Sequence, residues 1–302
     1  NRIITGSLAS YLNTAVSLIS NLVLVPMYLF YLGKEEYGLW LVILSIVSYL
    51  GFSNLGIAQS VANFVASTNA KNDYDNIKSI VSTGFWIYVL IIILAMMITI
   101  GMVLVVPLDD YLNVPESLKH VFIPVLLISS AFFLIKLPLT IFNVTLRSLN
   151  LIYKEQLFLL LFTVIQFIGV IAVLWNDVGL VGLSAVYGVT GLLTGIVLYV
   201  YLNKLIPGFS VSRKFSSKAM AKKLIVPGAY FFILQLASIL IFSTDNIIIS
   251  VFSGVENVAR YAIAFKVFMM TIGIASVITS SMLPSITAAY ALDNNELLSN
   301  MI

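Results

Sequence analysis

The sequence predicts an all-α, polytopic membrane protein with about eight transmembrane helices, and three observations carry that expectation. Charge is scarce: 10% of the 302 residues are Asp, Glu, Lys or Arg, against 60% hydrophobic. Soluble domains carry about 25% charged residues; a chain this poor in charge cannot cover its surface in water, whereas lipid can cover it. The apolar residues gather into eight long runs, each reaching the roughly 20 residues needed to cross a bilayer core at about 1.5 Å per residue. Short clusters of Gly, Pro, Asn, Asp and Lys separate the runs.

The first run, Gly6–Tyr31, is too long for a signal-peptide core and lacks a small-residue cleavage site, so it reads as a true span. Gly33-Lys34-Glu35-Glu36 turns the chain into Tyr37–Ser67, and Lys71–Asn76 leads to Ser79–Val106. Pro107-Leu108-Asp109-Asp110 and Val114-Pro115-Glu116 bracket the loop before Ser117–Phe142. Then come Glu155–Trp175, a tight turn at Asn176-Asp177, and Val178–Leu205. The longest polar stretch, Asn203–Lys223, precedes Ala221–Val251 and Val258–Tyr290. The second, seventh and eighth runs are overlong for one crossing, which tilt or extension beyond the bilayer would accommodate. Pro26, Pro124 and Pro138 are expected to bend or break their helices, or to be ordinary transmembrane prolines. Opening on Asn1 and stopping at Ile302 beside an apolar run, the chain reads as a piece of a longer one.

Basic residues orient the spans, since Lys and Arg concentrate in cytoplasmic loops. Arg2, Lys71, Lys78, Arg147, Lys154, Lys204, Arg213, Lys214, Lys218, Lys222 and Lys223 fall at the N-terminus and after spans two, four and six. Only Lys34, Lys119 and Arg260 fall on the other side. This places the N-terminus and the long middle loop in the cytoplasm. The turn after span one, a Gly followed by an acid and a Tyr, recurs at Gly254, Glu256 and Tyr261, as a parallel repeat of the first hairpin would.

Composition excludes several chemistries. With no cysteine there is no disulfide framework and no thiolate site, and a single histidine, His120, rules out a multi-histidine metal centre. The chain has no Walker loop, zinc-protease motif or nucleophile elbow, and a net charge of +3 without a basic-aromatic patch gives no nucleic-acid partner. No cofactor is expected, although coupling to Na⁺ or H⁺ is compatible with the sequence. Trp40, Trp86 and Trp175 lie near span ends and read as an interfacial belt, and His120 reads as an interfacial polar residue.

What remains are polar groups inside spans, each needing a partner or a wet cavity. Lys136, Asp245 and Lys266 are the ionisable ones. Asp245 and Lys266 each lie nine or ten residues from the turn near Gly254, so they either tie two helices as an ion pair or line a cavity. Lys136 either snorkels to the cytoplasmic surface or faces an anion. Asn13, Asn21, Asn54, Gln59, Asn63, Gln166 and Gln235 either bond between helices or line a polar cavity suited to sugar hydroxyls. Asn54, Gln59 and Asn63 fall near one stripe of span two, and Asn13 and Asn21 near one face of span one.

The string Val25-Pro26-Met27-Tyr28-Leu29-Phe30-Tyr31-Leu32-Gly33-Lys34-Glu35-Glu36-Tyr37-Gly38-Leu39-Trp40 resembles the first hairpin of bacterial polysaccharide flippases of the Wzx type. Gly51-Phe52-Ser53-Asn54-Leu55-Gly56-Ile57-Ala58 is similar to their second span, and Thr244-Asp245-Asn246, Gly254 and Tyr261–Lys266 to the hairpin opening their second half. These proteins belong to the multidrug/oligosaccharidyl-lipid/polysaccharide exporter superfamily. The resemblance implies a MATE-like architecture of two six-helix lobes around a central cavity, here with 1–206 as the first lobe, 207–220 as a cytoplasmic linker and 221–302 as the first two helices of a truncated second lobe. It also implies, in the bacterial cytoplasmic membrane, alternating-access transport of undecaprenyl-diphosphate-linked oligosaccharides and not enzymatic catalysis. The diphosphate would meet Lys136 and Lys266, with Asp245 as partner, and the glycan would meet Asn54, Gln59, Asn21, Gln166 and Gln235. Expected partners are the lipid-linked substrate, membrane lipids and other polysaccharide-assembly membrane proteins. Span one has no Arg or Lys, unlike the lipid II flippase branch, which favours an O-antigen, capsule or exopolysaccharide unit. The alternatives are an ion-coupled multidrug antiporter, whose site would need an acid, and a membrane glycan polymerase or ligase, for which the outer loops are small.

Overall fold

The computed structural model describes residues 2–269 and 271–272, and among these there are helices and turns but no strand. The order is α1 (Arg2–Tyr31), α2 (Gly33–Tyr49), a 3-10 stretch (Leu50–Asn54), α3 (Ile57–Asn69), α4 (Tyr74–Val105), the single turn α5 (Leu108–Tyr111) and α6 (Glu116–Lys136). A 3-10 turn (Leu137–Leu139) leads to α7 (Thr140–Ser148), followed by α8 (Ile152–Trp175), α9 (Gly179–Leu205), α10 (Lys218–Ser253) and α11, helical over 255–269. Seven helical segments among the described residues are long and apolar enough to cross a membrane. The eighth expected span opens with α11, but most of Val258–Tyr290 lies outside the described residues.

Helix ends follow local chemistry. Asp73 caps α4 by accepting the Asn76 amide at 3.0 Å, and Ser217 caps α10 by accepting that of Met220 at 3.0 Å. The turns at Gly33 and Gly254 both have positive φ, +74° and +82°, as the expected hairpin repeat requires. Asn72, Asn113, Asn150 and Asp177 take left-handed φ in other joins, a conformation Asn and Asp tolerate.

Two expected spans are not single helices. Span two breaks at Leu50–Gly56, where Leu55 and Gly56 have φ of +45° and +65°, so Asn54 lies outside the helix that carries Gln59 and Asn63 and the three share no stripe. Span four changes to 3-10 geometry around Pro138, while Pro26 and Pro124 lie inside unbroken helices. Of these three prolines, Pro138 alone coincides with a break. The seventh run, by contrast, is one 36-residue helix.

α1 packs on α8, α6 and α8 pack on α9, and α3 packs between α4 and α7. α10 lies along α2, α3 and α4. Two apolar cores result. One contains Leu39, Trp40, Phe122, Leu174, Leu183 and Val258 and lies toward the end marked by the turns at Gly33, Asn113 and Asp177. The other contains Ile57, Ile80, Ile141, Leu198 and Phe209 and lies toward the opposite end. There Glu155, 1% exposed, accepts from Nε and Nη2 of Arg147 at 3.1 and 2.8 Å across the α7–α8 turn. The linker after α9 is docked: Ser82 and Thr83 of α4 bond the backbone of Ser210, Ser212 and Ser217, and the Arg213 guanidinium sits 4.7 Å from the Trp86 ring centre. Trp40 departs from the expected belt. It is 2% exposed, because α2 is covered by α6 and α10, whereas Trp175 is exposed.

Candidate functional site

Tyr37 opens α2 just after the Gly33 turn and is fully buried. Tyr28, from the last turn of α1, stacks on it with ring centres 5.3 Å apart. The Tyr28 hydroxyl lies 3.0 Å from that of Tyr187 on α9, which also packs against Trp40. Onto this aromatic wall α11 brings Lys266, whose ammonium donates to the Tyr37 hydroxyl at 3.0 Å and lies 5.6 Å from its ring centre. Asp245 on α10 accepts from the Tyr261 hydroxyl.

The expected Asp245–Lys266 ion pair does not form: their similar distance from the turn fixes depth, but the lysine is turned to α2 and the acid to Tyr261. A neutral phenol leaves the Lys266 charge uncompensated and leaves two of its three N–H donors for another acceptor. That chemistry suits an anionic oxygen.

Lys136 has a different setting. Phe132, Lys136 and Leu139 lie over Gly188, Gly191 and Gly195, a groove along α9 that lets α6 approach closely. A Cβ on Gly191 would lie 3.0 Å from Lys136 Cδ and 3.3 Å from its Nζ. Gly191 is the 13th residue of the 27 in α9, so the ammonium lies about 18 Å from the nearer helix end at 1.5 Å per residue. The Lys136 residue is exposed there.

Two cavities of about 160 Å³ flank Lys136. One is bounded by Trp40, Ser129, Phe132, Ser184 and Tyr187, and Ser129 and Ser184 bond each other at 2.8 Å. The other is bounded by Thr140, Asn143, Thr163, Gln166, Thr190 and Thr194. No Asp or Glu among the described residues lines either.

The other expected residues divide. Gln166 lines the second cavity and accepts from Thr190 at 3.2 Å. Asn54 and Gln235 brace the break in span two: the Tyr88 hydroxyl donates to the Asn54 side chain and accepts from the Ala58 amide, while Gln235 donates to the Gly51 carbonyl at 2.8 Å. The two backbone segments touch there, since a Cβ on Gly56 would lie 2.1 Å from the Gly228 carbonyl oxygen. Asn21 is exposed and bonds its own helix at the Ser17 carbonyl, and Gln59 and Asn63 are also exposed. Asn13 donates to Gln156 of α8 at 3.1 Å, an interhelical bond.

Tyr28, Tyr37, Tyr88 and Tyr187, and the threonines of the second cavity, were not among the expected site residues, although Tyr28 and Tyr37 belong to the first-hairpin string. The sequence does carry one signal for the cavity: Ser184, Gly188, Gly191, Thr194 and Gly195 repeat small residues three and four apart along one side of α9.

A family model described as polysaccharide biosynthesis protein matches residues 4–289. Among curated proteins, the chain is 21% identical over 272 residues to the uncharacterized membrane protein EpsK of Bacillus subtilis, covering 89% of this chain and 53% of that one. Among solved structures it is similar to an inward-facing multidrug resistance MATE family transporter of the MOP superfamily, with TM-score 0.69 and 16% identity over 95% of this chain and 65% of that one. It is also similar to a MOP superfamily transporter from Pyrococcus furiosus reported to have a binding pocket of reverse polarity, with TM-score 0.60 and 18% identity over 99% and 67%. The chain thus spans about half the length of the curated relative and about two thirds of these structures. The structural likeness is one of fold.

Proposed function

We propose, from the premise that the chain belongs to the polysaccharide biosynthesis protein family, that it is part of a flippase moving undecaprenyl-diphosphate-linked oligosaccharide units across the bacterial cytoplasmic membrane by alternating access. The observation that carries this reading is Lys266. It is an intramembrane ammonium held by a phenol and a ring, with no carboxylate at ion-pair distance among the described residues. Such a cation fits the diphosphate, and the surrounding tyrosines offer ring faces and hydroxyls to the first sugar. In this reading residues 1–206 form the first lobe, 207–220 the linker, and 221–302 belong to the second lobe. The N-terminus faces the cytoplasm, the transported unit is an O-antigen, capsule or exopolysaccharide repeat, and no bond is made or broken.

The test is translocation of a lipid-linked oligosaccharide in reconstituted vesicles. Lys266→Ala is expected to lower the rate at least about tenfold, as loss of a charge-assisted hydrogen bond worth about 1.5–3 kcal/mol implies. A folded Lys266→Ala that translocates at the wild-type rate refutes the assignment. The second reading, an ion-coupled multidrug antiporter, draws on the shared fold and on Asp245 as an acid for a cationic drug. Drug efflux abolished by Asp245→Asn, with glycan translocation absent from the wild type, would favour it.

A further inference from the structure

The join between α9 and α10, with the helix ends that flank it, concentrates positive charge without compensation. From Val178 to Thr244 the sequence has no Asp or Glu, and within that stretch fall Lys204, Arg213, Lys214, Lys218, Lys222 and Lys223. All six are exposed. None has a carboxylate at ion-pair distance among the described residues, whereas Lys34, Lys78, Lys119, Arg147 and Arg260 each have one. Lys218, Lys222 and Lys223 occupy the first two turns of α10, which hold no acid. They add to the positive end of the helix dipole, where negative charge is the stabilising partner.

The join is held at one level. Its backbone at Ser210, Ser212 and Ser217 is bonded to Ser82 and Thr83 of α4, and Arg213 lies over Trp86. Residues 86–105, the last 20 of α4, span about 30 Å at 1.5 Å per residue, the thickness of a bilayer core. The exposed large hydrophobics of α4 agree, since they run from Leu90 to Val105 with only Tyr74 before them. Exposed apolar side chains also flank the join, Leu205 on α9 and Ile225 and Val226 on α10. Trp86 and the guanidinium over it therefore stand where the hydrocarbon core ends and the phosphate layer begins.

We propose that this basic join is a docking surface for anionic phospholipid headgroups. Charge complementarity and level select that occupant: six unpaired cations lie at the height of the lipid phosphates, between side chains exposed to lipid tails. The end that holds them is the one the basic residues assign to the cytoplasm, whose leaflet carries acidic lipid. Lipid bound there anchors the start of α10 at a fixed depth. The proposal goes beyond the flippase reading and does not depend on it.

Trp86 reports on the site. The purified protein is reconstituted in vesicles of phosphatidylglycerol and phosphatidylcholine in equal amounts, with bromine, a contact quencher of tryptophan, on the acyl chains of one lipid or the other. The Trp86 share is the quenching lost in Trp86→Phe. Both leaflets carry both lipids, so the direction of insertion does not alter the reading. In the wild type, phosphatidylglycerol is expected beside Trp86 in at least about fivefold preference, what one basic residue near an anionic surface supplies. Lys214→Gln, Lys218→Gln, Lys222→Gln and Lys223→Gln together should bring the ratio to about one, and Arg at the same four positions should keep it. Should the fourfold Gln variant fail to fold, Lys222→Gln with Lys223→Gln is expected to lower the ratio at least about twofold. Added salt should weaken the preference, because the cations are exposed. A wild type without preference overturns the proposal, and so does a preference that survives the neutralisation in a folded variant. A preference erased by soluble inorganic diphosphate, and not by sulfate at the same ionic strength, overturns it in favour of a soluble anion.

Discussion

Lys136 and Lys266 are the same residue type, each embedded in an apolar helix, yet their neighbours give them opposite characters. Lys266 is held: a phenol oxygen at 3.0 Å and a ring face fix its ammonium on the wall formed by Tyr28, Tyr37 and Tyr187. Lys136 lies loose over the glycine groove of α9, between two small cavities, with no bond to hold it. A charge in a span thus has no intrinsic role. The helix facing it decides whether its ammonium is bonded or left free.

The largest effect expected from breaking this contrast comes from Gly188→Leu. A Cβ there lies 2.1 Å from the Phe132 ring, so α6 must lift from α9 and the Lys136 cavities lose their shape. Overpacking of this kind costs about 3 kcal/mol, a fall of about 6–12 °C in unfolding temperature. A fall below about 1 °C would mean that the helices do not meet through this groove. A smaller effect is expected at the other lysine, where Lys266→Met and Tyr37→Phe combined in a double-mutant cycle should show a stability coupling of about 1 kcal/mol. Additive effects would show that the contact is not made. The smallest effect is expected from Lys136→Met. Replacing an unbonded ammonium by an apolar stem should leave stability within about 0.5 kcal/mol of wild type or raise it. A loss above about 2 kcal/mol would reveal a partner holding the charge.

Much of the fold was legible. The apolar runs and the Gly, Asn and Asp turns located most helices, because length and left-handed backbone are local properties. The break at Leu50–Gly56 was hidden within an overlong run, since it is fixed from outside: Tyr88 and Gln235 bond it, and Gly228 presses on it. The burial of Trp40 is likewise tertiary. At the candidate sites the charged residues stood out by their cost in lipid, but their pairing did not. Depth along a helix can be counted from a turn, whereas azimuth depends on which neighbour covers which side, and so Asp245 and Lys266 were matched in height without meeting. The tyrosines and threonines escaped notice because their types are ordinary in membrane helices, and only the small-residue pattern of α9 marked the cavity they help enclose.

The unbroken length of α10 has a mechanical corollary. Near one end it is fastened by Ser250, which donates to the Leu112 carbonyl at 2.6 Å, and by Val251, whose carbonyl accepts from Asn113 at 2.6 Å. Gly228, which meets Gly56, lies about 33 Å away along the axis at 1.5 Å per residue. Between these two points Gln235, Thr244 and Asn246 bond α2 and the 3-10 stretch after it, so the helix is fastened along its length. Pivoting about the Ser250 latch by about 10° would displace Gly228 by about 6 Å, further than a backbone-to-backbone contact survives, while the pivot itself barely moves. Such a pivot strains each bond in proportion to its distance from Ser250, so Asn246 and Thr244 would be the least displaced and Gln235 more so.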